Sequence, residues 1–263
     1  MTVYFIALMA ILLVAGLAWV ASVVVGKVSF VDSLWSLFFL LAAAVFAVSV
    51  DALSARALLV LALVALWSIR LSLHITIRNW GEPEDYRYEA IRASNEPGFV
   101  VKSVYIVFGL QGLLAWLIAA PLAPAIFTTS GPGLLDAAAL VLFIVGFVFE
   151  AVGDWQLSRF KSNEDNKGKV LDTGLWQYTR HPNYFGDFCI WWSFWLFAVA
   201  AGAWWTVFSP LLMSFLLLRV SGVAMLERTV VERRPAYAEY IRNTNAFFPG
   251  MSKRPRPEEL DLS

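Results

Sequence analysis

Seven stretches of this chain, 4–25, 31–50, 55–77, 101–123, 135–158, 186–201 and 204–226, run almost without charge. A helix needs about 20 apolar residues to cross the hydrocarbon core of a bilayer. The pattern therefore predicts an all-α integral membrane protein, a single membrane domain over 1–263 built as a bundle of seven transmembrane helices. Composition agrees: 59% of residues are hydrophobic and 15% charged, where soluble domains run near roughly 45–50% and about 25%. That excludes a soluble α/β enzyme, a disordered chain and a disulfide-stapled secreted domain. A formal net charge of zero offers no field for nucleic acid. One cysteine, Cys189, and two histidines are too few for a cysteine-rich or zinc site.

Basic residues sort onto alternate connections. Lys27 follows the first span, and Arg78, Arg87, Arg92 and Lys102 lie between the third and fourth. Arg159, Lys161, Lys167, Lys169 and Arg180 follow the fifth, and Arg228, Arg233, Arg234, Arg242, Lys253, Arg254 and Arg256 fill the tail. Arg56 stands alone in a connection of the opposite side. The positive-inside rule then predicts an outer N-terminus and a cytoplasmic C-terminus. With no Lys or Arg before Lys27, the first span lacks the basic n-region of a signal peptide and is expected to stay. Polar and aromatic residues gather in 78–100, 159–185 and 227–263, which suits a site fed from the cytoplasm by a soluble cofactor.

Ionisable groups inside spans are costly, and mark function or helix-to-helix pairing. Asp32 opens the second span; Arg70 and His74 share one face of the third, and Glu150 and Asp154 one face of the fifth. Gln111 lies in the fourth, Asp187 at the start of the sixth, and Arg219 in the seventh beside Leu216, Leu217 and Leu218. Pairing, for example of Arg70 with Asp32, is the plain reading. A buried Arg219 would need a carboxylate or a cofactor phosphate.

The segment Asp172 to Asp187 carries the most chemistry: Asp-Thr-Gly-Leu-Trp-Gln-Tyr-Thr-Arg-His-Pro-Asn-Tyr-Phe-Gly-Asp. Gly174 permits a tight turn, Pro182 fixes the chain before the sixth helix, and Asn183 and Asp187 share the face of its first turn. Arg180 and His181 stand at that helix N-terminus, which favours anions through its unpaired N–H groups. A phosphate-bearing ligand fits there, and so do lipid headgroups.

This segment resembles the signature of the steroid 5-alpha-reductase-like integral membrane reductases. Its Arg-His-Pro-Asn-Tyr-Phe-Gly-Asp core is shared more loosely with the membrane sterol C14- and C7-reductases. The tail, with Leu226, Glu227, Arg228, Pro235, Tyr237, Tyr240 and Phe247-Phe248-Pro249, is similar to the end of the same family's C-terminal domain. The resemblance is specific over roughly 140–250. It implies a seven-helix fold in which NADPH occupies a cytoplasm-facing cavity and gives a hydride to the β-carbon of an enone. The substrate would be a steroid-like or other hydrophobic molecule arriving from the bilayer. Residues 1–135 would form much of the substrate cavity, 136–250 the cofactor part, and 251–263 a polar tail. Carried over by position, Asn183 and Asp187 address the nicotinamide side, and Asp154 and Lys161 the adenosine half. Tyr178, Arg180, His181, Arg219, Glu227, Arg228 and Tyr240 fall where cofactor contacts are expected.

Two departures matter. Lys161 stands where the resemblance calls for Arg, which keeps charge and loses the bidentate fork. The family's catalytic Gln-Glu pair and Tyr have no clean match; by position Asp32 and the Arg70/His74 face take their place. Hydride addition builds charge on the carbonyl oxygen, which must meet a donor. A carboxylic acid at Asp32 is one candidate, and Tyr86 or Tyr88 reaching in from 78–100 is another. The Arg-His-Pro-x-Tyr-x-Gly element and Glu227-Arg228 also resemble the isoprenylcysteine carboxyl methyltransferases, which use S-adenosylmethionine. A non-catalytic scaffold is the third class. A bacterial inner membrane is the expected location.

Overall fold

The computed structural model describes residues 2–220 and 237–251. Among them every regular element is a helix: α1 Thr2–Val25, α2 Val31–Ala47, α3 Ala55–Asn79, α4 Tyr86–Asn95, α5 Phe99–Ser103, α6 Leu110–Ile118, α7 Leu122–Phe127, α8 Leu134–Lys161, α9 Pro182–Ala200, α10 Phe208–Phe215 and α11 Tyr237–Asn243. Two π-helical segments interrupt the series, Val104–Gly109 between α5 and α6 and Leu216–Val220 after α10.

Among the described residues four helices are long and apolar enough to cross a membrane: Thr2–Val25, Ala55–Asn79, Phe99–Ile118 and Leu134–Lys161. They correspond to the first, third, fourth and fifth of the expected spans. The second expected span is a helix of 17 residues, and the described part of the seventh is the apolar stretch Trp204–Val220, with 221–226 outside the described residues. The sixth begins earlier than expected, at Pro182, so that Asn183 and Asp187 lie within its first turns.

The chain divides into two compact units. The first comprises 1–137 and 194–209, and the second 138–193 together with the chain from 210 onward. The end of α9 and the following turn, 194–209, thus belong with the first unit.

In the first unit α2 packs against α1 and α3. Helix α1 buries Ala7, Ile11, Ala15, Ala18 and Ser22, a stripe at three- and four-residue spacing, while Leu13 and Leu17 stay exposed. Apart from Ile11 the buried stripe carries small side chains, which suits helix association in a bilayer, where close van der Waals approach matters more than hiding apolar surface. A Cβ built on Gly112 of α6 would lie 3.2 Å from Ile11. Tyr4 and Trp116 lock the same pair, each side chain donating to the other's backbone carbonyl at 2.7 and 2.8 Å.

Arg56, in the first turn of α3, is buried in the same unit. Its Nε donates to Asp136 at 2.5 Å, and one terminal nitrogen donates to Asp136 and to the Gly131 carbonyl, each at 2.9 Å. The pair ties the start of α3 to the segment entering α8. Both side chains are nearly inaccessible, at 3% and 2% exposure. Removing one partner of such a pair leaves the other charge buried and uncompensated. Arg56→Ala should therefore cost about 3–5 kcal/mol, read as a large fall in thermal midpoint in detergent; an unchanged midpoint would refute it.

In the second unit the core is the crossing of α8 with the first half of α9. A Cβ on Gly146 would lie 2.6 Å from the Gly186 carbonyl oxygen, and one on Gly186 would lie 2.5 Å from both the Glu150 nitrogen and the Gly146 oxygen. Nearer the start of α9, a Cβ on Gly153 would meet Pro182 at 3.1 Å and the Asn183 nitrogen at 3.3 Å. Gly146, Glu150, Gly153 and Asp154 are spaced to share one face of α8, and the glycines let the two backbones touch.

Candidate functional site

That close crossing builds the polar cluster of the second unit. With Gly153 admitting Pro182, the Asn183 amide donates to Asp154 Oδ1 at 3.1 Å. Glu150 and Asp154 are buried at 3% and 5% exposure, and His181 at 4% stacks on Tyr184 with centroids 5.6 Å apart and planes 3° from parallel. The turn before α9 is held from both sides. Gly174 takes a left-handed φ of +63°, a conformation glycine adopts without cost, and the Gln156 amide lies directly over its Cα hydrogens. Gln156 Oε1 accepts from Leu175 N at 3.0 Å, and Trp176 Nε1 donates to the Gly153 carbonyl at 3.2 Å.

From the other side the chain 240–250 zips onto 176–180. Thr179 Oγ donates to the Phe247 carbonyl at 2.8 Å, Gly250 N to the Tyr178 carbonyl at 3.0 Å, and Tyr240 Oη to the Trp176 carbonyl at 2.5 Å. Arg180 donates its backbone N–H to the Asn245 carbonyl, and its guanidinium to the carbonyls of Ile241 and Thr244 at 3.0 and 2.6 Å. Arg180 thus binds backbone carbonyls at the end of α11 and just beyond it, a role its charge alone did not reveal. Tyr178, by contrast, is 43% exposed.

Beside the cluster, the end of α8 and the segment after it enclose a cleft of about 420 Å³ lined in part by Trp155, Gln156, Arg159, Asn163 and Asn166. The Arg159 guanidinium lies 5.5 Å from the Trp155 ring centroid. An adjoining hollow of about 210 Å³ carries Lys161 and Lys167. These residues suit a dinucleotide phosphate: ring faces for a base, amides for a ribose and cations for phosphate. Asp187 stands one turn along α9 from Asn183. Arg219 lies in the π-helical segment and is exposed, which corrects the expectation of a buried cation. Glu227 and Arg228 lie outside the described residues.

The first unit holds a second cluster, around Asp32. Its Oδ1 accepts from Tyr88 Oη at 2.5 Å and its Oδ2 from the Arg87 guanidinium at 2.8 Å. Arg87 is thus a partner of Asp32. Arg87 also grips Asp85 at 2.8 Å, and Gln111 donates its amide to Tyr88 Oη at 3.0 Å. Burial works against charge on Arg87, and the carboxylates of Asp85 and Asp32 outweigh it, holding its pKa above the ordinary value. Burial likewise opposes ionised Asp85, and Arg87 more than offsets this, lowering its pKa. Burial, reinforced by the negative charge of Asp32, raises that of Tyr88.

Glu84 fastens the same loop by accepting from Val28 N and Ser29 N at 2.8 and 2.9 Å, just ahead of α2. Lys27 reaches the Glu82 carbonyl at 2.5 Å. Of the two candidate loop tyrosines, Tyr88 is buried in this cluster at 6% exposure and Tyr86 is 37% exposed. Asp32 therefore acts as an acceptor through both oxygens. Arg70 and His74 lie one turn apart on α3, close in sequence to the buried Trp67. Arg87 and Glu84 were missed as site residues, and Gln111 stood out only as a polar group within a span, because each acts on a group more than 20 residues away in the chain, beyond any periodic signal.

Comparison with known proteins adds a family and no chemistry. A family model described as "Protein of unknown function (DUF1295)" matches residues 18–244. The chain is 28% identical to an uncharacterized protein of Schizosaccharomyces pombe, C594.04c, over 88% of this chain and 75% of that protein. No solved structure matches. With its family model extending over most of the sequence, the chain belongs to the DUF1295 family of proteins.

Proposed function

We propose that this protein is an NADPH-dependent membrane reductase of the steroid 5-alpha-reductase type, which saturates a carbon–carbon double bond conjugated to a ketone in a steroid-like or other lipid substrate. The observation that carries this reading is the Asn183–Asp154 pair, set by a glycine-lined helix crossing next to a cleft with cationic and aromatic walls. Asn183, Asp154, Asp187, His181 and Tyr178 are assigned to the cofactor, and Lys161 to its phosphate. Arg180 and Tyr240 support them by fastening the chain around 176–180. In this reading the N-terminus lies outside, the nucleotide enters from the cytoplasm, and the membrane is a bacterial inner membrane.

Bound NADPH supplies the hydride that adds to the carbon β to the carbonyl. Negative charge then develops on the carbonyl oxygen and needs a donor. That donor is assigned to Tyr88, whose single phenolic proton is directed at Asp32 Oδ1 and would turn from it to the carbonyl oxygen while the Tyr88 oxygen still accepts from Gln111. Burial keeps its phenol protonated at neutral pH.

The test is thermal stability of the detergent-purified protein with NADPH, NADH or S-adenosylmethionine, since a ligand of the folded state raises apparent stability by mass action. NADPH alone should raise the midpoint. Asn183→Ala and Asp154→Ala should each weaken the apparent affinity by about tenfold or more, the worth of a hydrogen bond to a charged group. A rise with S-adenosylmethionine alone would replace the reductase with a methyltransferase.

A further inference from the structure

We propose that Gln111 is a specificity-determining residue whose side-chain carbonyl accepts a hydrogen bond from a hydroxyl group on the hydrophobic substrate. The inference rests on the reductase reading only in calling that ligand the substrate.

Direction along the hydrogen-bond chain carries the argument. A tyrosine has one phenolic proton, and Tyr88 gives it to Asp32 Oδ1. At its next contact the Tyr88 oxygen must therefore accept, so Gln111 has to present Nε2, as it does at 3.0 Å. Turning the amide round would set two acceptors against each other, which fixes which end is the oxygen. Oε1 is then left at the far end of the chain. It is fully buried and has no hydrogen-bond partner among the described residues. A buried acceptor in that condition is costly, and the tie to Tyr88 prevents the amide from swinging away.

The backbone supplies an independent reason to treat the position as built. Gln111 stands just beyond the π-helical segment Val104–Gly109. One extra residue in a turn rotates the rest of the helix by about 100°, and such segments concentrate at functional sites. A Cβ on Gly109 would lie 3.0 Å from the Val104 carbonyl oxygen, so glycine makes room for that turn. The helix is thus re-aimed immediately before a residue whose carbonyl end has no partner among the described residues. An acceptor in apolar surroundings selects a donor. Among molecules that partition into a bilayer, the neutral donor with a small desolvation cost is a hydroxyl.

The experiment uses the full chain in lipid nanodiscs and two matched probe pairs. One is 17β-hydroxyandrost-4-en-3-one and its 17-methyl ether; the other is hexadecan-1-ol and its methyl ether. Glutamine occurs only at 111, 156 and 177, so selective side-chain ¹⁵N labelling gives three amide signals, and Gln111→Met identifies one. The hydroxyl member of at least one pair should bind about tenfold more tightly than its ether, the worth of one buried hydrogen bond, and should shift the Gln111 signal. Gln111→Met should abolish the preference; Gln111→Asn, which withdraws the carbonyl by one methylene, should do the same if Gln111→Met does not fold.

Equal binding of both members, the same preference in the variant, or no binding by any probe would each overturn the proposal. NADPH stabilisation measured in the same samples separates the two readings. Equal binding by the wild-type protein with the NADPH shift intact sinks the Gln111 assignment alone. A hydroxyl preference without any NADPH shift sinks the reductase and leaves Gln111 as a lipid-recognition residue.

Discussion

Gly186→Ala should destabilise the protein by about 2–3 kcal/mol, the cost of forcing extra volume into a packed contact, and should weaken nucleotide binding at the same time. The added methyl carbon would stand 2.5 Å from the Glu150 nitrogen and the Gly146 oxygen. Both are backbone atoms, so no side chain can swing aside and the helices must separate. Separation lengthens the Asn183–Asp154 hydrogen bond, now 3.1 Å, that lies further along the same contact. Gly146→Ala should act alike, since its methyl would lie 2.6 Å from the Gly186 oxygen. Gly16→Ala is the control: nothing lies within 4 Å of a Cβ there, and alanine favours helix over glycine by about 1 kcal/mol. Thermal midpoints and NADPH titrations of the three variants check this. A Gly186→Ala protein as stable as wild type would refute the close crossing.

The same contact shows what was legible in the sequence. Asn183, Gly186 and Asp187 stand out as one segment, and Asp154 as a polar residue within an apolar helix, because local spacing and composition record such things. Why glycine occupies position 186 was not legible, since the reason is a backbone 40 residues earlier in the chain. Arg180 illustrates a second limit. Its charge suits a phosphate, a headgroup or a carbonyl equally, and only the fold shows its guanidinium bound to Ile241 and Thr244. Asp32 shows a third. Its cost inside an apolar segment was evident, but its partner was set by the loop carrying Arg87, 55 residues on. Local backbone form is a fourth limit: hydropathy marks 204–226 as one continuous stretch, while over 204–220 the backbone passes from a tight turn through α-helix into a π-helical segment.

Tyr88→Phe should reduce turnover of an enone by about a hundredfold or more, the range associated with losing one donor to a developing oxyanion or one acid–base group. NADPH affinity should stay within about twofold of wild type, because Tyr88 is not among the residues assigned to the nucleotide. Phenylalanine keeps the ring in its buried place, and the Asp32–Arg87 pair at 2.8 Å persists without the phenol. The loss is therefore chemical rather than a collapse of the loop, and thermal midpoints should confirm that. Asp32→Asn should fall less far: it keeps an acceptor for Tyr88 while losing the charge that holds Arg87 in line. Tyr105→Phe, at a residue 59% exposed on the π-helical segment, serves as the neutral comparison. Single-turnover oxidation of bound NADPH, followed by its absorbance, isolates the chemical step from product release. If Tyr88→Phe reduces an enone at the wild-type rate, the phenol is not the donor, and the Asp32 cluster is a fastening for the loop instead.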